Sequence, residues 1–449
     1  MTAPMDGSIQ DGLIDTAKRV LPGGTFGNMA GDVVIREGRG GRVWDEDGKE
    51  YVDFLLGSGP MLVGHAHPEV TAAAQARIAQ GTTFFANNRW GIELAEAIVA
   101  ASPCAEQVRF VSTGSEADLY AMRAARAFTG RDKILKFEGG YHGMSDYSLM
   151  SLAPRRSANF PAAVPDSAGI PRSLRDEMLI APFNNIDAVA GIVREHKDEL
   201  AAIILEPFQR IIPPAPGFLA ALRKLTTEYG IPLIFDEVVT GFRVSPGGAQ
   251  GEFGIKPDLT SLAKILAGGL PGGAVAGRRD ILDDLDFDAT ERKKREKIAH
   301  PGTYNANPLS AAAGIAALEI VGTGEPCKRA SATAASLRAA LNDVLAEERV
   351  PWAVHGTFSG FHFFLNPKQR AIDPHRFDPT TLDYKELLGN PAPLARMIRL
   401  ALLANGVDVN GRISGFTSAA HGKAEIEDTA RALRESLRML RAEGELPTT

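Results

Sequence analysis

From Val108 onward the chain repeats one alternation, a short apolar run followed by a stretch that reads as helix. The runs are VRFVS (108–112), KILKF (133–137), MLIAPF (178–183), AAIILEP (201–207), PLIFDE (232–237), LTSLAK (259–264) and GAVAG (273–277). Strands separated by helices predict a mainly parallel sheet covered by helices on both faces. Runs as continuous as AAIIL fit that burial, since a half-exposed strand alternates apolar and polar residues.

The flanks are written differently. VVIREG and RVWDEDGKEYVDF alternate around Gly40-Gly41 and Asp47-Gly48, the pattern of antiparallel hairpins. Residues 8–21 read as a short amphipathic helix, and a last helix near 425–443 carries Ile426, Ala430, Leu433, Leu437 and Leu440 on one stripe. The expected organisation is α/β with two domains. Residues 66–307 form the large domain with the seven-stranded sheet; residues 308–449 form a smaller α+β domain, to which residues 1–65 contribute. Residues 145–176 are polar, contain prolines and show no period, which predicts a lid or a disordered loop.

A length of 449 residues exceeds one ordinary core. The net charge of −6 offers nothing to attract nucleic acid or an anionic membrane. Two cysteines, Cys104 and Cys327, make neither a disulfide framework nor a zinc site and fit a reducing compartment. The N-terminus lacks the basic flank and apolar core of a signal peptide, so the cytoplasm is expected. His65 and His67 in GHAHP have no acid cluster beside them in sequence, and no metal is expected.

The chemistry-bearing residues fall at strand ends. Ser112-Thr113-Gly114-Ser115-Glu116 follows a strand and opens a helix, where exposed amides suit an anion, although Thr then Glu is also an ordinary cap. Tyr141 and His142, in FEGGYHG, could stack on an aromatic ligand. Asp236 closes PLIF, with Glu237 after it, and a carboxylate behind four apolar residues needs a partner to offset its burial. Lys264 closes LTSLA before Gly268-Gly269, and desolvation there would leave a nucleophilic amine. Lys264 stands 28 residues after Asp236, about one crossover unit, so both reach the same carboxyl edge of a parallel sheet. An acid and a lysine at that edge suit pyridoxal phosphate (PLP). The lysine forms a Schiff base, and the acid keeps the pyridine nitrogen protonated.

In their order, STGSEADLYAMRAARAFTGRDKILKFEGGYHG, LIFDEVVTGFR, PDLTSLAKILAGGLPGGAVAGR and GTYNANP resemble the class III (subgroup II) PLP-dependent aminotransferases, glutamate-1-semialdehyde aminomutase and its transaminase relatives above all. The resemblance implies the fold type I architecture, PLP as cofactor, and a homodimer with sites at the interface. It implies that Lys264 carries PLP and shuttles a proton, that Asp236 bonds the ring nitrogen, and that Val238 and Tyr141 pack on the two ring faces. Gly114 and Ser115 would bind the phosphate, Thr303 would reach the phosphate of the neighbouring subunit, and Glu206 and His142 would support the site from behind.

The chain departs from the aminomutase pattern on the substrate side. Thr25-Phe26-Gly27-Asn28-Met29-Ala30 lacks the expected arginine, Ser58 replaces a tryptophan, and Gly411 to Phe416 lacks a glutamate. Ile211 stands where ornithine and 4-aminobutyrate transaminases place a glutamate. A transaminase with a different pocket is therefore expected, taking an amine donor and a carbonyl acceptor; an aminomutase-like isomerase or a racemase is the alternative. Arg412 is the first candidate for holding a carboxylate and Arg210 the second, since a guanidinium suits a bidentate carboxylate. Phe26, Phe84 and Phe85 are candidate walls of an apolar pocket for ω-amines or β-amino acids.

Overall fold

The computed structural model describes residues 8–27, 29, 31–153 and 158–446. Of the stretch around Phe26, positions 28 and 30 lie outside the described residues. Backbone contacts divide the chain into two compact units, Pro68–Cys327 and Met1–His67 with Lys328–Thr449.

The larger unit is built on seven strands, each at one of the apolar runs. These are β1 (Gln107–Val111), β2 (Lys133–Phe137), β3 (Met178–Ala181), β4 (Leu200–Leu205), β5 (Leu233–Asp236), β6 (Leu259–Ala263) and β7 (Gly273–Gly277). Their order across the sheet is β1-β7-β6-β5-β4-β2-β3. Neighbours from β6 through β5, β4 and β2 to β3 are parallel, while β7 runs antiparallel to both β6 and β1. Strands β3 to β7 are buried at every position, which is why they read as unbroken apolar runs. Helix α1 (Gly114–Thr129) lays Ala117, Ala121, Met122, Ala124 and Ala125 into the core shared with Ile134, Ala202, Ile204 and Ile234.

Helix α2 (Pro308–Gly322), expected to open the smaller domain, packs within the larger unit. Small residues allow it close to the turn after Lys264, where a Cβ on Gly268 would stand 2.6 Å from the Ala313 carbonyl oxygen.

The segment 145–176 is tied to the sheet, which corrects the expectation of a disordered loop, apart from residues 154–157, which lie outside the described residues. Met150 bridges Pro165, and Ala162 bridges Leu179 on strand β3. The ammonium of Lys136, fully buried on β2, donates to the carbonyls of Ser148 (2.9 Å) and Met150 (2.7 Å). Polarity that reads as solvent exposure in sequence is spent here on internal hydrogen bonds.

The smaller unit contains a four-stranded sheet in the order Ile35–Arg39, Arg42–Asp45, Glu50–Asp53, Val407–Asp408, and a three-stranded sheet of Ala353–His355, Gly360–Phe364 and Ser414–Phe416. Its core joins Leu337, Leu341, Phe361 and Phe363 to Leu433, Leu437 and Leu440 of the last helix, Lys423–Ala442. His65 is structural, with Nε2 2.6 Å from the Asp53 carboxylate. No helix of the described residues is long and apolar enough to cross a membrane.

Candidate active site

Five strand ends converge at one edge of the sheet. Strand β1 leads into Gly114 and Ser115, β2 into Tyr141 and His142, β4 into Glu206, β5 ends in Asp236, and β6 leads directly into Lys264. The parallel register pairs Asp236 with Ser261, three residues before Lys264. Backbone hydrogen bonding between two adjacent strands therefore sets the acid and the lysine side by side.

The two neighbouring acids part company. Glu237 is buried and accepts from the Thr240 hydroxyl, the amides of Ala249 and Gln250, and the Gln250 side chain. It ties down the start of the helix Gly248–Phe253. Asp236 points the other way, as strand alternation requires. Its Oδ2 meets His142 Nδ1 at 2.8 Å and its Oδ1 accepts from the Val238 amide at 3.0 Å. Burial holds the His142 ring below its ordinary pKa despite that carboxylate, so the imidazole is neutral and donates through Nδ1.

Lys264 has φ of +55°, a left-handed backbone that a side chain adopts only where the surroundings enforce it. The residue opens a tight turn, Lys264–Ala267, directly at the end of β6. Burial, and next the Arg243 guanidinium, lower the amine to a pKa of about 8, against the opposing pull of Asp236. A nucleophilic amine is thus available near neutrality.

Glu206 accepts the Tyr141 amide at 2.9 Å, and burial raises its carboxyl to about 7 even beside Arg210. The Arg210 guanidinium lies over the Tyr141 ring, 4.5 Å from its centroid, with Nε 3.9 Å from Glu206. Arg210 itself has φ of +61°, in the tight turn where Gln209 bridges Ile212.

At the start of α1 the cap expected from the sequence is present. Thr113 and Glu116 make a full capping box, with Glu116 accepting the amides of Ser112 and Thr113. That box leaves the amides of Gly114 and Ser115 for an anion. The turn after β2 presses on this loop, since a Cβ on Gly143 (φ +82°) would stand 2.5 Å from Ser115 Cα. Gly143→Ala is expected to displace Ser115 and weaken a phosphate-bearing ligand roughly tenfold, as measured by equilibrium dialysis.

Thr303 is exposed. Phe26, Phe84 and Phe85 are 90%, 50% and 74% exposed on the single chain. Arg412 sits in the turn before the strand Ser414–Phe416, its amide bonded to Asn410 Oδ1.

Asp118 escaped the sequence reading. It lies one turn into α1, is 1% exposed, and meets the Ser261 hydroxyl. Its ligand atom and those of His142 and Asp236 all lie within 4.8 Å of one another. The signal was a lone carboxylate on the stripe of Ala117, Ala121, Met122 and Ala125. Three such ligand atoms could face a cation, but a ring nitrogen carrying a proton needs the same carboxylate and the same enclosure. With an amine at one end of the site and donor amides at the other, the residues fit a phosphorylated pyridine aldehyde.

The family model for Aminotransferase class-III matches residues 26–377. An ω-transaminase from Sphaerobacter thermophilus is 34% identical with a TM-score of 0.86, over 97% of this chain and 99% of that one. A β-phenylalanine aminotransferase from Variovorax paradoxus is 28% identical with a TM-score of 0.80, over 97% and 94%. A glutamate-1-semialdehyde aminomutase from Pseudomonas aeruginosa PAO1 is 25% identical with a TM-score of 0.81, over 96% and 94%.

Proposed function

Because this chain belongs to the class III aminotransferases and is a PLP-dependent enzyme, we propose that it works by a ping-pong exchange in which Lys264 and Asp236 carry the chemistry. A donor amine or amino acid would leave its nitrogen on the enzyme, and a keto acid or aldehyde would then collect it. The observation that supports this most is the half-buried Lys264 amine, its pKa lowered to about 8, with the Asp236 carboxylate enclosed by His142 on the neighbouring strand.

When bound, PLP supplies an aldehyde for nitrogen attachment and a ring that withdraws electrons. Lys264 Nζ would anchor it and, when free, would hold and move a proton at the donor carbon. Asp236 would hold a proton at the ring nitrogen, its carboxylate fixed by His142 and the Val238 amide. Val238 and Tyr141 would flank the ring, the amides of Gly114 and Ser115 would receive the phosphate, and Glu206 accepts from the Tyr141 amide and steadies that loop. Thr303, exposed on the single chain, serves the phosphate of a second subunit in a cytoplasmic homodimer; light scattering tests the assembly.

Arg210 is the favoured carboxylate anchor, because stacking on Tyr141 holds its guanidinium beside the ring pocket. Phe84 and Phe85, both exposed on the single chain, would give the substrate side an apolar wall suited to ω-amines or β-amino acids. Arg210→Gln is expected to raise KM for a small keto acid roughly tenfold to a hundredfold, and to leave KM for an aldehyde of similar size unchanged. The same split seen with Arg412→Gln instead would move the anchor to Arg412.

The amine must be neutral to attach PLP. With a pKa of about 8 it is about one-tenth neutral at pH 7, against less than about one part in a thousand for an ordinary lysine. The rate at which apoenzyme takes up PLP should climb from pH 7 and level off just above pH 8. Stopped-flow absorbance checks this, and a climb continuing past pH 10 would contradict it.

The test of the reaction itself is a donor and acceptor screen followed by visible absorption. A spectrum that an amine changes and a carbonyl compound restores supports the exchange. Turnover of one substrate with no acceptor, read by chiral chromatography, would establish the isomerase or racemase instead.

A further inference from the structure

Asp236 in its charged form offers about four acceptor positions. The ring of His142 takes one at 2.8 Å and the Val238 amide takes another at 3.0 Å. On the reading above, the cofactor nitrogen takes a third. The carboxyl of Asp118 approaches the same carboxylate from helix α1, the two acids bringing ligand atoms within 4.8 Å of each other. Both acids are buried, at 1% and 4% exposure. Two ionised carboxylates in contact within such an enclosure repel strongly, and the usual resolution is one proton held between them.

The other groups around Asp118 favour leaving that proton in place. The Ser261 hydroxyl, on strand β6, donates to Asp118 Oδ1 and leaves Oδ2 to carry hydrogen. Glu206, at the end of β4, adds negative charge nearby. Among the described residues, Lys136 on β2 acts on Asp118 while its amine donates to the carbonyls of Ser148 and Met150, Lys264 acts on Asp236, and Arg210 acts on Glu206 and lies on Tyr141. Burial, and next the charge of Asp236, hold the Asp118 carboxyl well above the usual range.

We propose that Asp118 is a positioning residue, kept as a neutral carboxylic acid whose O–H donates to the Asp236 carboxylate and moderates the negative charge that Asp236 presents to the cofactor nitrogen. Donation to Asp236 makes it a weaker base, so the bound cofactor titrates lower than it would without the donor, and the pair carries a single negative charge. This rests on the assignment of Asp236 to the ring nitrogen.

Asparagine imitates a protonated aspartic acid in shape and as a donor, and does not imitate an aspartate. The holoenzyme is therefore compared with Asp118→Asn and Asp118→Ala by infrared difference spectroscopy and by the pH titration of the bound cofactor's visible absorption. A protonated-carboxyl C=O band at neutral pH should be lost in Asp118→Asn. The spectral pKa should stay within about 0.3 of wild type in Asp118→Asn and rise by about one unit in Asp118→Ala, where the donor is gone. Absence of the band, or a shift in Asp118→Asn as large as in Asp118→Ala, overturns the proposal. If Asp118→Ala does not fold, the band and a shift of a unit or more in Asp118→Asn still decide it. Asp236→Asn separates the premise: if that variant leaves the titration unmoved, the assignment of Asp236 fails and the proposal with it; if it moves the titration and the Asp118 results are adverse, the proposal alone falls.

Discussion

Lys264→Ala is expected to lower kcat by at least about 10³-fold, because one substitution removes both the anchoring amine and the proton carrier. Borohydride should fix a pyridoxyl group on the wild-type chain and none on the variant, as read by mass spectrometry. The loss should not come from unfolding. Burial lowers the lysine from 10.5 to about 8, so the folded apoprotein binds fewer protons than the unfolded chain between those values. That costs apoprotein stability in full below about pH 8, and the cost fades as pH rises toward 10.5. Removing the lysine removes the cost, so at pH 7 the variant apoprotein should melt at or above the wild-type temperature. A variant that melts lower, or one that retains turnover, contradicts the assignment.

Asp236→Asn should slow the half-reaction with a donor amine on the order of 10²- to 10³-fold, with a much smaller change in donor affinity. The amide has the shape of the carboxylate; its oxygen can still accept from the Val238 amide, and its NH2 can donate to His142 Nδ1 once the ring proton moves to Nε2. What it lacks is the charge that holds a proton on a pyridine nitrogen, and that charge matters most when the donor carbon gives up its own proton. Single-turnover absorbance separates this step from product release. Equal losses in affinity and rate would point to a disturbed fold instead.

The seven strands were legible because burial on both faces leaves unbroken apolar runs, and Asp236 and Lys264 because they interrupt such runs at their ends. The separate fate of Glu237 was not legible, since its partners Ala249 and Gln250 come from a helix twelve residues on whose approach sequence does not show. Asp118 was hidden for a related reason. The helix start reads as a cap, and what makes its carboxyl unusual is the arrival of Ser261 and Asp236 from strands more than a hundred residues away. The polar stretch after His142 misled, because a buried Lys136 gathers its carbonyls inward. Exposure of Phe26, Phe84 and Phe85 is equally a tertiary outcome that residue type does not announce.

The pairing of Asp236 with Ser261 separates two kinds of evolutionary freedom. The distance from acid to amine is written in the hydrogen-bond ladder between two central strands, so loops can be lengthened, shortened or recoloured without altering it. A slip of one residue along that ladder would turn every side chain of one strand to the opposite face and dismantle the chemistry at a stroke. New substrates are thus reached cheaply by editing the rim, whereas the reaction type is protected by the same backbone bonds that keep the sheet together.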